Sequence, residues 1–311
     1  MAKQSGNSNV GSKPSRSLNV GVIKFNEALF KSVLANASVL IILLLSAVFI
    51  TLVVFSLPAL KANGFYFLTG TVWDPNLDKY GALPFLVGTI ITSLLALLIS
   101  FPFSISLAIL LGEFYRKGAL SALFRNIIEL LAGVPSVIYG FVAIYYLVPA
   151  INDFGIGLGY AGTGGRNLLT ASIVLAIMII PYSASVAREV INLSPSDLRE
   201  ACYALGSTRF ELIRHVILPY TSSGIIAGNI LSLGRAIGET MAVTMVIGNV
   251  NQLPHNLFSG ANSMSSIIAN DFPEAGPAEI SSLTEIGLLL FLITMLFNIL
   301  GKQLINQLSK R

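Results

Sequence analysis

Charge is scarce in this chain: 11% of its 311 residues are Asp, Glu, Lys or Arg, whereas a soluble domain carries roughly 25%. An ordinary water-soluble fold is therefore excluded. A single cysteine, Cys202, excludes an internal disulfide, and two histidines, His215 and His255, are too few and too far apart to build a metal site. No Ser/His/Asp or Cys/His arrangement is available for nucleophilic catalysis, so no catalytic residue is assigned. No GxxxxGK[ST] phosphate cradle occurs. The stretch from Gly6 to Lys13 has the glycines but lacks the Gly-Lys pair and follows no strand, so the chain has no ATP site of that kind. The glycine-rich run DFGIGLGYAGTGG (153–165) has no strand-helix context and reads as a connector. There is no tandem repeat.

What is present is apolar. Hydrophobic residues make up 54% of the chain, and runs able to cross about 30 Å of hydrocarbon fall at 34–57, 85–111, 121–150, 169–192, 220–248 and 283–306. The expected fold class is an all-α integral membrane protein with six transmembrane helices. The first run follows a polar tail without a small-residue cleavage site and reads as a retained helix. The third holds Gly133, Pro135 and Gly140, which predict a kink or break after Ala132.

The net charge of +4 is spread over several loops, a pattern of leaflet orientation and not of nucleic-acid binding. Lys and Arg on the side of the two termini outnumber those on the other side fifteen to three, with Arg235 embedded in a span. Both termini are expected in the cytoplasm. Residues 1–33 are expected to form a cytoplasmic tail, disordered to residue 17, with Leu18, Val22, Phe25, Leu29 and Val33 spaced for an interfacial helix or for a lead-in to the first span. Residues 34–311 would form the six-helix domain. The outer loops 58–84, with Trp73, Asp74, Pro75 and Tyr80, and 251–282, with Pro254, Asp271, Pro273 and Glu274, are large enough to receive a soluble protein or to serve as plain connectors.

Two segments carry the functional reading. The polar stretch REACYALGSTRFELIRHVILP (199–219) interrupts the apolar pattern, with Ala201, Ala204 and Leu205 as one apolar stripe, Gly206 at a turn, and Phe210, Ile213 and Ile217 as a second. Two short helices at an angle would make a docking knob; the alternative is an amphipathic loop on the membrane surface. Its spacing resembles the EAA loop of ABC importer permeases. In LSLGRAIGETMAV (231–243), Arg235 and Glu239 would share one helical face near mid-membrane. Charges there cost at least about 2.5–3.5 kcal/mol each and need a partner or a water-filled interior. The site is then an anion site, in which the guanidinium matches two oxygens of an oxyanion, or a structural ion pair. Gly234 and Gly238 would keep the neighbouring face small. Arg125 and Glu129 form a second i,i+4 pair, read as an interfacial salt bridge, and Ser136 and Tyr139 lie beyond the expected break.

Together YGALPFLVGTIITS (80–93), ELLAGVPSVIYGF (129–141), IIPYSASVAREV (179–190), the EAA-like segment and GRAIGETMAV (234–243) resemble the PstC family, membrane subunits of phosphate ABC importers. Cys202 stands where the EAA pattern has its second alanine. The resemblance implies a type I importer permease (MetI-like) architecture with one peripheral N-terminal helix, in a bacterial plasma (inner) membrane. It implies a PstA-like permease subunit, two PstB-like ATPases that bind ATP and Mg, and a PstS-like phosphate-binding protein as partners. The chain itself would be non-catalytic and bind no cofactor. Arg235 and Glu239 would line the substrate pathway, and Glu200, Ala201, Gly206, Arg209 and Arg214, in a coupling loop at 194–219, would receive the ATPase. A permease for sulfate or molybdate, or a transporter working without an ATPase, are the alternative readings.

Overall fold

The computed structural model describes residues 20–160 and 164–308, with side chains from residue 29 to 307. The tail expected to be disordered lies outside the described residues, as do Leu18 and the side chains of Val22 and Phe25. Two units are distinguished, residues 1–51 and residues 52–311. Helix α1 (Val20–Asn63) begins in the first and carries no interruption at residue 34, and every side chain from Leu29 to Thr51 is exposed.

Among the described residues six helices are long and apolar enough to cross a membrane: Leu29–Asn63, Leu83–Phe114, Ser136–Gly157, Leu168–Asn192, Arg209–Ile237 and Pro277–Gln307. The six expected spans are all there with shifted boundaries, and two of the expected runs are broken into separate helices. The third run is two helices, α4 (Ala119–Gly133) and α5 (Ser136–Gly157), because Val134 and Pro135 adopt extended backbone with ψ of 128° and 137°. Proline disfavours α geometry in the residue before it, and its own ring cannot donate to the preceding turn. The fifth run also stops early. Helix α9 (Leu218–Ile237) is capped by Gly238, and a separate short helix α10 (Met241–Val246) follows.

Helix α6 (Leu168–Asn192) is the most buried of the spans. It packs against α3 (Leu83–Ile109, prolonged by a widened π turn at Leu110–Phe114), α5, α9 and α10, so that Ala96, Ala143, Leu175, Ile179, Ala236 and Val243 share one apolar core. Close approach of α9 to α6 depends on Gly224 and Gly228, whose missing Cβ atoms would overlap Val190 and Val186. Small residues four apart are the usual means of bringing membrane helices together.

At one end of the spans sit α2 (Tyr66–Thr69), a hairpin of β1 (Trp73–Asp74) and β2 (Lys79–Tyr80), and α11 (Met264–Asp271) ahead of α12 (Pro277–Leu308). Trp73 packs edge-on against Tyr80 and Phe85 with ring centroids 5.0 and 5.3 Å apart, and all three are buried. Trp73 and Tyr80 of the outer loop 58–84 are thus core residues. Acidic groups crowd the same end: burial, then Glu279 and Glu274, push the Asp271 carboxyl above the usual carboxylate range. At the opposite end α7 (Ser196–Ala204) and α8 (Arg209–Glu211) form the knob.

Candidate functional site

The knob starts from its turn. Gly206 has φ of +81°, where a Cβ is costly, and it ends α7 so that Thr208 can begin the next helix. Thr208 and Glu211 close a capping box: the Thr208 amide donates to Glu211 Oε2 at 2.8 Å and the Glu211 amide donates to Thr208 Oγ1 at 3.3 Å. The second expected short helix is not separate. From Arg209 the chain is helical through a π turn at Leu212–Ile217 straight into α9, because Ile213 and Ile217 bury against the bundle and carry the helix on. The first stripe points outward: Ala201 and Ala204 are exposed, and Leu205 is 87% exposed. Glu200, Arg209, Phe210 and Arg214 are exposed as well. Arg209 lies over the Phe114 ring and Arg214 over the Phe210 ring, each 5.8 Å from the centroid.

What holds the knob is a residue pair that the sequence reading passed over. Arg199 is 7% exposed, and its Nε and Nη2 reach Glu113 Oε1 and Oε2 at 3.0 and 3.1 Å. Its Nη1 donates to the Ser194 carbonyl at 2.6 Å, and its Nη2 donates to the Ile191 carbonyl at 3.0 Å and to Ser194 Oγ. One guanidinium thus ties the end of α3 to the C-terminal carbonyls of α6 and to α7, with its fork geometry matched to a carboxylate. The signal was present in the sequence: Glu113 is an acidic residue two positions past the second apolar run, and the one acidic residue of the observed span Leu83–Phe114.

The second constellation sits where two helices break. At the α4–α5 break the Tyr139 hydroxyl donates to the Leu131 carbonyl and the Tyr182 hydroxyl to the Ala132 carbonyl, both at 2.8 Å. These carbonyls end α4; the Leu131 carbonyl also accepts from the Val134 amide at 3.4 Å, and the two phenols add a side-chain donor to each. Arg235 lies over the Tyr182 ring at 4.1 Å from its centroid, within electrostatic reach of Tyr139. It is about 26 Å along the helix from Leu218, and its side chain is exposed.

Arg235 and Glu239 do not share a helical face. The helix ends at Ile237, and among the described residues no ion pair joins them. Glu239 turns to its own break: Oε1 accepts from the Ala242 amide at 3.5 Å at the start of α10, and its carbonyl accepts from Ser265 Oγ at 2.7 Å. Gly234 and Gly238 mark no close approach: a Cβ at Gly234 would stand 3.8 Å from Asn298 Oδ1 and one at Gly238 3.7 Å from the Gly234 carbonyl, both ordinary contacts. Helix contact falls to Gly224 and Gly228 instead. Arg125 and Glu129 are both exposed and form no ion pair. Arg188 and Glu189 approach to 3.8 Å. Among the described residues no group of three His, Cys, Asp or Glu is placed to hold a metal ion.

The arrangement presents a cation at a double helix break, on a face that the described residues leave exposed. It can receive an anion. Residues 104–311 match the family described as binding-protein-dependent transport system inner membrane component. The chain is 42% identical to the phosphate transport system permease protein PstC of Haemophilus influenzae, over 91% of this chain and 94% of that protein. It is 38% identical to the protein of the same name from Mesorhizobium japonicum, over 96% of both chains. A chain of the MetNI methionine ABC transporter, solved in inward-facing conformations, superposes on 73% of this chain and 94% of its own length with a TM-score of 0.54 at 19% identity. That likeness shows a shared fold.

Proposed function

Because the chain belongs to the family of binding-protein-dependent transport system inner membrane components, with PstC phosphate transport permeases among its relatives, we propose that it is the membrane-spanning permease subunit of an ATP-driven inorganic phosphate importer. The observation that carries the reading is Arg235. A cation at membrane depth costs at least about 2.5–3.5 kcal/mol and is kept where it faces a pathway or a partner. Arg235 is held by the Tyr182 ring and has no carboxylate, so its donors are free for an oxyanion.

The exposed face carrying Arg235 is covered by a homologous PstA-like subunit, and phosphate passes between the two. At the other end the exposed Ala201, Leu205 and Phe210, with Glu200, Arg209 and Arg214 beside them, receive a PstB-like ATPase; two such ATPases bind ATP and Mg, and this chain is non-catalytic. The Arg199–Glu113 pair gives the knob a fixed purchase on α3 and α6, so that a push on α7 moves helices and not a loose loop. ATP binding then shifts the population toward a pathway open to a PstS-like binding protein, and hydrolysis returns it. The fifteen-to-three basic split supports a bacterial inner-membrane orientation with both termini cytoplasmic.

The test is reconstitution in vesicles with the three partners, reading ATP-dependent uptake of labelled phosphate in competition with sulfate and molybdate. Uptake that needs ATP and is suppressed by unlabelled phosphate alone is the expected result. Equal suppression by sulfate or molybdate would move the assignment to another oxyanion, and uptake without the ATPase would sink it.

A further inference from the structure

Among the described residues, one carboxylate of an apolar span has a buried oxygen without a hydrogen-bond partner. Glu285, on α12 about 12 Å along the helix from Pro277, is 5% exposed, and its Oε2 is buried with no hydrogen bond. It lines a cavity of about 470 Å³ with Leu60, Phe65, Leu68, Leu289 and Leu292, and no Lys or Arg is among the lining residues. Leu60, Phe65, Leu68 and Leu292 are also exposed, so the cavity opens onto the apolar outer face of the bundle. The turn at Gly64, with φ of +52° and open space where a Cβ would stand, forms part of its rim.

A buried carboxyl oxygen without a partner is costly unless the occupant of the cavity supplies a donor or a cation. The walls ask for hydrocarbon, and the single polar group asks for a positive donor. We infer that this cavity is a lipid site for an amphiphile with a primary ammonium head group, phosphatidylethanolamine being the common bilayer form. The ammonium donates to Glu285 Oε2, and an acyl chain lies along Leu289 and Leu292. A choline head group has the charge but no N–H to donate, and a glycerol head group leaves the phosphate charge uncompensated beside the carboxyl.

Native mass spectrometry of the full chain, purified in mild detergent with its co-expressed partner subunits and exchanged into phosphatidylethanolamine, phosphatidylcholine or phosphatidylglycerol, tests the site. The unaltered protein should retain phosphatidylethanolamine about tenfold better than the other two, the worth of one charge-assisted hydrogen bond. Glu285→Gln should bring the three lipids within about twofold of one another, and Leu292→Trp, which fills the mouth and leaves the carboxyl in place, should lower retention of phosphatidylethanolamine about fivefold or more. Equal retention of the three lipids by the unaltered protein overturns the inference, as does undiminished retention in Leu292→Trp. These readings do not involve phosphate uptake, so the site stands or falls apart from the transport assignment. Should Glu285→Gln fail to assemble, the lipid preference of the unaltered protein and the Leu292→Trp result still decide.

Discussion

Arg199 and Arg235 are the same side chain put to opposite uses. At the knob, Arg199 is buried, with Glu113 on one side and the Ile191 and Ser194 carbonyls on the other. At the helix breaks, Arg235 is exposed, with one aromatic ring beneath it and no carboxylate. A guanidinium with satisfied donors fixes helices against each other, whereas one with free donors in an apolar setting awaits a ligand. Burial and satisfaction together, and not the presence of an arginine, separate the structural site from the proposed binding site.

The largest effect should come from breaking the satisfied arginine. Glu113→Ala leaves Arg199 buried and unpaired, a change that typically costs about 3–5 kcal/mol, so the melting temperature in detergent should fall and ATPase association with it. Replacing both partners by apolar residues of similar size, Glu113→Leu with Arg199→Met, should recover most of that stability. An unchanged melting temperature in Glu113→Ala would erase the contrast drawn above.

Next comes the free arginine, where stability and function should part. Arg235→Gln should assemble and melt within about 1 kcal/mol of the parent, yet lose phosphate uptake about a hundredfold or more, the loss expected from two charge-assisted hydrogen bonds. The double variant Arg235→Gln with Glu239→Gln should stay inactive. Recovery of uptake in it would mean that Arg235 serves to neutralise Glu239, and the comparison would collapse into two structural arginines.

Smaller still is the turn that presents the knob. Gly206→Val forces a β-branched residue to positive φ at a cost of about 1–2 kcal/mol, local to the α7–α8 turn. Stimulation of the ATPase should fall while the Arg235 site is untouched, and normal coupling in this variant would remove the knob from the mechanism. The smallest effect is reserved for Tyr182→Phe. It keeps the ring beneath Arg235 and removes one hydroxyl bond to the Ala132 carbonyl, a loss of about 1 kcal/mol. Uptake should survive it, and should fail in Tyr182→Leu, where the ring is gone; equal uptake in the two variants would show that the ring does not hold Arg235.

The legible part of this chain was everything local. Six apolar runs read as six spans, Pro135 read as a break, and Gly206 read as a turn, since each depends on a residue's own backbone preferences or on its unbroken apolar neighbours. The Arg235–Glu239 spacing misled because an i,i+4 pair meets only on a continuous helix, and Gly238 ends that helix between them. Glu285 was visible as the lone acidic residue of its apolar run and Glu113 as an acidic residue just past the end of another, but nothing in a segment says whether a lone charge has a partner.

The sequence by itself determined that this protein has six apolar spans, that the chain breaks at Pro135 and turns at Gly206, and which apolar segments carry a charge. These follow from hydropathy and backbone sterics, which act within a few residues. Only the tertiary structure decided what each of those charges meets: for Arg199 a glutamate 86 positions away, for Arg235 a ring on another helix that leaves its donors free, for Glu285 no hydrogen-bond partner among the described residues. Pairing across helices depends on packing that brings distant residues within about 3 Å, a distance that spacing along one chain does not encode.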